Sequence, residues 1–235
     1  MRSWILARKS LIGTVSLALL LVIATATATF ALTHEPHEAV ASAPEDIVRV
    51  SVIGDSYSSG LGNQTAWPSL VAAGSQLSIS DVAFPGTGYV AETEHSGSFA
   101  AQVDKALASK PAVVVVFGGM SDASVSDGLI AQSATDLFLR LIRLAPKAKL
   151  IVLGPISPAD PASDRFLKLD STVAGAAQAT HTTYVRLIQE KWLVGDGLIQ
   201  PDGFSPTDQG QSALARHLSP VLLGAIRKQD KAVLP

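Results

Sequence analysis

Hydrophobic residues along the chain fall into short runs that alternate with longer segments in which they recur at helical spacing. The short runs predict β-strands and the longer segments predict helices. The predicted strands are Ile47–Ile53, Leu77–Ala83, Ala112–Phe117, Leu150–Leu153 and Thr183–Ile188. The predicted helices are Ser98–Ser109, Ser126–Ala145, Pro161–Ala179 and Pro206–Lys228. Strands that alternate with helices are typical of an α/β domain, in which helices cover both faces of a parallel sheet.

The amino-terminal part of the chain has a different pattern. Basic residues at positions 2, 8 and 9 precede the uncharged, mostly apolar stretch Ser10–Thr33. This arrangement predicts an export segment over residues 1–33, either a cleaved signal peptide or a signal-anchor transmembrane helix, and both alternatives remain open. Either one predicts an extracytoplasmic protein, secreted or anchored in the cell membrane by this segment alone. Residues 34–45 are then a linker, residues 46–228 the folded domain and residues 229–235 a tail.

Composition limits the functions that this domain can have. The chain has 235 residues, of which 47% are hydrophobic and 16% charged, and its formal net charge is -2. Without a basic excess we expect no nucleic-acid partner. The sequence has no cysteine, which excludes disulfides, thiolate metal sites and a cysteine nucleophile. Histidines and carboxylates lack metal-ligand spacing, and the glycine-rich segments lack a nucleotide-binding fingerprint, so we expect no cofactor and no metal. The oligomeric state is not indicated.

The first predicted strand leads directly into Gly54-Asp55-Ser56. Glycine permits a sharp turn, and a serine at the carboxyl end of a strand, ahead of a helix, lies beside backbone N–H groups that favour negative charge. Ser56 is therefore the candidate nucleophile. Alternatively, Asp55 and Ser56 only cap the helix that follows.

Glycine and polar residues also follow the other predicted strands. They form three short segments: Pro85-Gly86-Thr87-Gly88, Gly119-Met120-Ser121-Asp122 and Asp202-Gly203-Phe204-Ser205-Pro206. Each alone could be an ordinary turn. In a parallel sheet, however, the carboxyl ends of the strands meet at one edge, where binding sites collect.

In this order and spacing, the four segments resemble the SGNH hydrolase superfamily, also called GDSL esterases and lipases. The resemblance covers the chain from about Ile47 to Ile226. It implies a flavodoxin-like three-layer α/β/α sandwich with a central, mostly parallel five-stranded sheet, and ester hydrolysis by a serine nucleophile. It also implies that Ser56 is that nucleophile and that Gly86, Ser121 and the Ser56 N–H surround the oxyanion. Asp202 and the residue at 205 would complete the catalytic group.

This sequence departs from the family pattern at two positions. Ser121 replaces the asparagine of the oxyanion hole, and Ser205 replaces the catalytic histidine. A hydroxyl at 121 can still donate a hydrogen bond, but a serine at 205 cannot take a proton from Ser56 at neutral pH. Ser205 is also predicted to be a helix N-cap, with Pro206 at the first helical position. Asp202 is then a turn residue, and Asp122 holds backbone N–H groups in its own loop.

Another histidine could supply the missing base. His34 and His37 lie in the predicted linker, His181 at the amino end of the sheet, and His217 far along the last helix. Only His95 is expected near the active-site edge, because its loop follows Gly86 and Gly88.

Two hypotheses follow from these residues. The favoured one is a weakly active or inactive family member that serves as a binding module at the cell surface. The alternative is an active esterase or deacetylase on acyl or acetyl esters of cell-envelope carbohydrate or lipid, with His95 as base. Three aromatic residues either line the pocket for such a ligand or pack in the core: Trp67, Tyr89 and Phe99.

Overall fold

The computed structural model describes residues 47–122 and 124–230, which lie in a compact unit, Asp46–Pro235. The predicted export segment and linker lie outside the described residues. The described part holds a complete sheet with a hydrophobic core on each face, which is what a domain needs to fold by itself.

Five parallel strands form the central sheet in the order β2-β1-β3-β4-β5. Their bounds are β1 Val48–Gly54, β2 Leu77–Asp81, β3 Val113–Phe117, β4 Lys149–Leu153 and β5 Thr183–Val185. The predicted α/β class, the number of strands and the parallel sheet are thus confirmed. The fifth strand is shorter than expected, since it ends at Val185 rather than Ile188.

The strand residues alternate between two cores because successive side chains point to opposite faces of a sheet. In β3, Val114 and Val116 face one core, whereas Val113, Val115 and Phe117 face the other. All five of these side chains are buried. This is the pattern expected of a strand that is covered on both faces, and it explains why β3 is an unbroken apolar run.

Six α-helices lie within the described residues. They are α1 Ser56–Ser59, α2 Trp67–Ala73, α3 Val103–Leu107, α4 Asp127–Leu144, α5 Asp164–Ala179 and α6 Asp208–Asp230. Helices α3, α4 and α5 contribute to the core of one face, and α2 and α6 to the other. The sequence did not predict α2, and the expected helix Ser98–Ser109 is a 3₁₀ turn, Phe99–Gln102, followed by α3.

The two edges of the sheet carry different segments. Segments that leave the strands lie at the carboxyl edge and include Ser56, Gly86, Ser121 and Ser205, as a parallel sheet requires. Segments that enter the strands lie at the amino edge. Among the described residues, no helix combines the length and apolar character needed to cross a membrane.

Candidate active site

Ser56 is the first residue of the short helix α1, directly after the carboxyl end of β1. The cap of this helix is Asp55, whose Oδ1 accepts a hydrogen bond from the Tyr57 N–H at 3.0 Å. The Ser56 side chain is partly exposed and takes no part in the cap. The capping interpretation therefore holds for Asp55, whereas the Ser56 hydroxyl is left for another use. Its role as nucleophile stays a prediction.

The fully buried carboxylate of Asp55 also holds the loop that follows β3. Its Oδ2 accepts hydrogen bonds from the Gly119 N–H at 2.8 Å and the Met120 N–H at 3.3 Å. Burial raises the pKa of Asp55 to about 6, although these hydrogen bonds act to lower it. Gly118 makes the approach possible, because a Cβ at this position would collide with the Asp55 carboxyl group. The loop with Ser121 is thereby fixed beside Ser56.

Asp122 fixes the loop after β2 in the same way. Its buried carboxylate accepts three backbone hydrogen bonds, from Tyr89 at 2.8 Å, Val90 at 3.1 Å and Ala91 at 2.7 Å. The sequence predicts that Asp122 holds N–H groups of its own loop. Instead it holds the neighbouring loop, which contains Gly86, and so joins the second and third segments of the predicted site.

The buried side chain of Gln102 connects the end of β1 to the Gly86 loop. It accepts from the Gly54 N–H at 3.0 Å and donates to the Gly54 carbonyl at 2.9 Å. Its amide also donates to the Thr87 hydroxyl at 3.1 Å. Both polar atoms of this glutamine thus serve to hold the residues on either side of the site.

Gln211, on α6, is a second fully buried glutamine and holds α1 from the opposite side. Its Oε1 accepts from the Trp67 N–H at 2.8 Å, and its Nε2 donates to the Tyr57 carbonyl and to Asn63 Oδ1, each at 3.3 Å. Sequence reasoning missed Gln102 and Gln211. In the sequence, each of these glutamines is a polar residue within a helical segment. That pattern does not distinguish a buried side chain that holds backbone groups from an exposed one.

Asp202 and Ser205 lie in one tight loop before α6. Asp202 Oδ1 accepts hydrogen bonds from the backbone N–H groups of Phe204 and Ser205, both at 2.9 Å. Partial desolvation acts to raise the pKa of Asp202, but hydrogen bonds from the Ser205 side chain and from these two N–H groups outweigh it and lower the pKa. Asp202 therefore accepts backbone hydrogen bonds in this turn and is ionised at neutral pH, and its place in a catalytic group stays a prediction.

Ser205 is not the N-cap of the last helix. Helix α6 begins at Asp208 rather than Pro206, and the Thr207 hydroxyl accepts a hydrogen bond from the Gly210 N–H at 3.2 Å. Ser205 is instead buried, and its hydroxyl is turned towards Asp202. The predicted cap was wrong because Pro206 forms an isolated bridge with Ile199 and precedes the helix.

The described histidines lie apart from this loop. His95 is exposed at the tip of a turn that the Thr93–Ser96 bridge closes, and His181 is exposed between α5 and β5. His217, on α6, stacks on Trp192 with a centroid distance of 4.8 Å. His34 and His37 lie outside the described residues. No hydrogen bond within the described part of the chain joins His95 to Ser56, and its role as a base stays a prediction.

Of the two roles left open for Trp67, Tyr89 and Phe99, packing is the one that they have. All three side chains are buried. Tyr89 packs edge-to-face on Phe99 at 5.1 Å, and Trp67 packs on Phe117 at 6.1 Å between centroids. They support the loops of the site from beneath and do not line its surface.

The structure thus has a parallel five-stranded sheet, a Gly-Asp-Ser turn after β1, and further loops held beside that turn at the same edge. Residues 52–220 match the GDSL-like Lipase/Acylhydrolase family, and the chain belongs to this family. Family membership makes it a hydrolase of the esterase type and implies an ester as substrate.

Individual proteins agree with this assignment. The chain is 30% identical over 187 residues to GDSL lipase Rv0518 of Mycobacterium tuberculosis, covering 74% of this chain and 80% of that protein. Among solved structures, the psychrotrophic esterase EstA from Pseudoalteromonas sp. has a TM-score of 0.63 at 15% identity, over 76% of this chain and 98% of that one. TesA has a TM-score of 0.62 at 23% identity, over 74% and 97%. The likeness to these two structures shows the fold.

Proposed function

We propose that this protein is an exported GDSL-family member whose catalysis is weak or absent and whose active-site cleft binds an acyl-bearing ligand at the cell surface. In this proposal Ser56 occupies the nucleophile position and Asp202 the acid position of the family. Ser205 occupies the position of the catalytic histidine.

The observation that carries the proposal is the pairing of Asp202 with Ser205. An acid in a hydrolase triad orients a histidine, which in turn removes the proton of the nucleophile. Here the Asp202 carboxylate takes its hydrogen bonds from the Ser205 hydroxyl and from two N–H groups of the same loop. A serine hydroxyl is no base at neutral pH, so the proton of Ser56 has no acceptor in this loop.

The rest of the cleft supports retention of ligand binding. Asp55, Asp122 and Gln102 hold the loops that carry Ser121 and Gly86 beside Ser56. In the proposal, the Ser56 and Gly86 N–H groups and the Ser121 hydroxyl form an oxyanion hole, which binds an ester carbonyl even without turnover. Exposed apolar side chains from three of the surrounding loops offer an acyl group contact area: Leu61, Phe84 and Phe204.

Export rests on the sequence of residues 1–33. The basic start and the apolar stretch Ser10–Thr33 support delivery across the cytoplasmic membrane, with the hydrolase-like domain on the outer side. Such a domain meets acyl and acetyl esters of envelope carbohydrate and lipid.

Hydrolysis of a small activated acetyl ester tests the proposal. We expect the parent protein to be at most slightly faster than its Ser56→Ala variant. We expect Ser205→His to raise kcat/KM by at least about tenfold, because removal of a triad histidine costs several orders of magnitude in turnover. The matched control is the double variant with Ser56→Ala and Ser205→His, which should return to the background rate.

A parent rate that Ser56→Ala abolishes and that Ser205→His does not increase would refute the proposal of weak or absent catalysis. In that case His95→Ala becomes the decisive variant. A rate that falls to background would assign the base to His95, and an unchanged rate would exclude it.

A further inference from the structure

The amino edge of the sheet, opposite the predicted active site, carries an unusual distribution of charge. The segments that enter β2, β3, β4 and β5 are residues 74–76, 108–112, 145–148 and 180–182, and they contain no Asp or Glu. They do contain Lys110 and Lys147, both exposed. Arg49, on β1, and Arg143, in the last turn of α4, add two further exposed cations.

These cations are not neutralised by partners within the described residues. The ion pairs described there involve Arg140, Arg165, Arg186 and Lys191, and each of these pairs with an aspartate. Arg49 donates through Nε to the backbone carbonyl of Lys110 at 3.1 Å, a bond that neutralises neither charge. Two acids, Glu45 and Asp46, precede β1 in the sequence, outside the described residues.

The carboxyl edge has the opposite character. The segments that leave the strands there, together with the starts of α4, α5 and α6, carry an excess of acids: Asp55, Glu92, Glu94, Asp122, Asp127, Asp160, Asp164, Glu190, Asp196, Asp202 and Asp208. A net charge close to zero therefore conceals a domain that is positive at one edge and negative at the other. Such a domain binds an anionic surface in one orientation.

Cations and apolar groups at the amino edge surround a common concavity. A cavity of about 480 Å³ lies there, lined by Arg49, Lys110, Lys147, Leu107, Leu144 and Pro146 among others. Leu144 is 49% exposed at the end of α4, and Ile142 is exposed beside it. A cleft with cations at its rim and apolar walls fits a phospholipid, whose phosphate is charged and whose acyl chains are apolar.

We propose that the amino edge of this domain is a docking surface for an anionic phospholipid membrane. Lys110, Lys147 and Arg49 contact the headgroups, and Leu144 enters the interface. The chain before Ile47 supports this choice, since it leads from the apolar stretch Ser10–Thr33 to this same edge within a short linker. The active-site edge then faces away from the membrane. The proposal is independent of whether Ser56 reacts.

Vesicle binding by residues 46–235 tests this surface without the export segment. We expect binding to phosphatidylcholine vesicles that contain phosphatidylglycerol, and none to phosphatidylcholine alone. The double variant Lys110→Glu with Lys147→Glu should weaken binding by more than about tenfold, because each basic residue near such a surface contributes on the order of 1 kcal/mol. The matched control is Lys168→Glu with Arg216→Glu, which changes the net charge equally at two exposed helix residues outside the amino-edge cavity.

Orientation is measured with a pair of tryptophan variants. Leu144→Trp is at the amino edge, and Leu61→Trp, at a position 57% exposed in the parent, is at the carboxyl edge. We expect a blue shift of the fluorescence on anionic vesicles for Leu144→Trp and none for Leu61→Trp.

Three results would overturn the proposal. The first is equal loss of binding in both double variants, which would reduce the effect to net charge. The second is a blue shift at Leu61→Trp instead, which would place the active-site edge on the membrane. The third is absence of binding to anionic vesicles. This result would overturn the proposal also if the amino edge were found to pair with a second copy of the chain in solution.

Discussion

Asp81 shows how a single residue makes the stability of this fold depend on pH. Burial raises the pKa of this carboxyl group to about 7 from 3.8, although the hydrogen bond from the Ala83 N–H and the charge of Lys105 lower it. The folded protein therefore binds this proton more tightly than the unfolded chain. The resulting stability is complete below pH 3.8 and is lost as the pH rises through about 7.

Asp81→Asn should remove this dependence. The amide keeps an acceptor for the Ala83 N–H and does not ionise. We expect its free energy of unfolding to exceed that of the parent by about 2 kcal/mol near pH 8 and to approach it near pH 4. Denaturant unfolding at several pH values measures the difference. Parallel curves for the two proteins would contradict the assignment.

The loop after β3 requires glycine at position 118. Its φ of +133° is rarely adopted by other residues, and a Cβ would collide with the Asp55 carboxyl group. We expect Gly118→Ala to lower the free energy of unfolding by more than about 2 kcal/mol.

Gly175→Ala is the matched control for that substitution. Gly175 is exposed in the interior of α5, and a Cβ there meets nothing within 4 Å. The free energy of unfolding should rise by about 0.5 to 1 kcal/mol, because alanine has the higher helix propensity. Equal effects at positions 118 and 175 would exclude the proposed collision. Thermal or denaturant unfolding measures both.

The sequence predicted the positions of some site residues and not of others. The position of Ser56 at the turn after β1 could be predicted because a strand that ends in Gly-Asp-Ser has to turn there, whereas its role as nucleophile stays a prediction. Gln102 and Gln211 could not, since their function depends on contacts with residues 48 and 154 positions away. Ser205 was assigned the wrong local role because the Ser-Pro-Thr-Asp spacing fits a cap at either Ser205 or Thr207.

Buried carboxylates hold whole loops in place at the carboxyl edge of the sheet. Asp122 alone accepts three backbone N–H groups of the loop after β2. Asp122→Ala leaves these buried donors without an acceptor, so we expect a loss of about 3 kcal/mol in the free energy of unfolding.

Amide hydrogen exchange locates the effect of that substitution. Exchange should accelerate at Tyr89, Val90 and Ala91 and stay unchanged in the strands of the sheet. Ser124→Ala, at an exposed turn residue two positions further on, serves as the control. Uniform acceleration throughout the domain would show that Asp122 supports the whole fold rather than one loop.

Helices and strands could be predicted where hydrophobic periodicity was long enough to be unambiguous. The long helices α4, α5 and α6 lie within three residues of their predicted bounds. Helix α2 spans only Trp67–Ala73 and was missed, because a segment of this length has too few turns to establish a period. The final strand is shorter than predicted: it has three residues and pairs with β4 at the edge of the sheet.

At the scale of the whole molecule, the α/β architecture followed from the order of elements along the chain. The strand order did not, because the periodic pattern gives no information on which strands pair. The opposite charges of the two edges could not be predicted either, because counting charged residues gives only a net charge of -2. The distribution of charged residues over the surface matters more here than the net charge, because the position of a residue determines which partner surface it can contact.

The residues that hold the Gly-Asp-Ser turn and its neighbouring loops differ from the residues that are candidates for the chemistry. Asp55, Asp122, Gln102 and Gln211 hold the turn with Ser56 and the loops after β2 and β3, mostly through backbone groups. None of these bonds involves the side chain of Ser56 or Ser205. Folding and chemistry are therefore encoded by separate residues. A substitution at Ser56 or Ser205 can then change what the cleft does to a bound molecule without removing the bonds that keep the cleft folded.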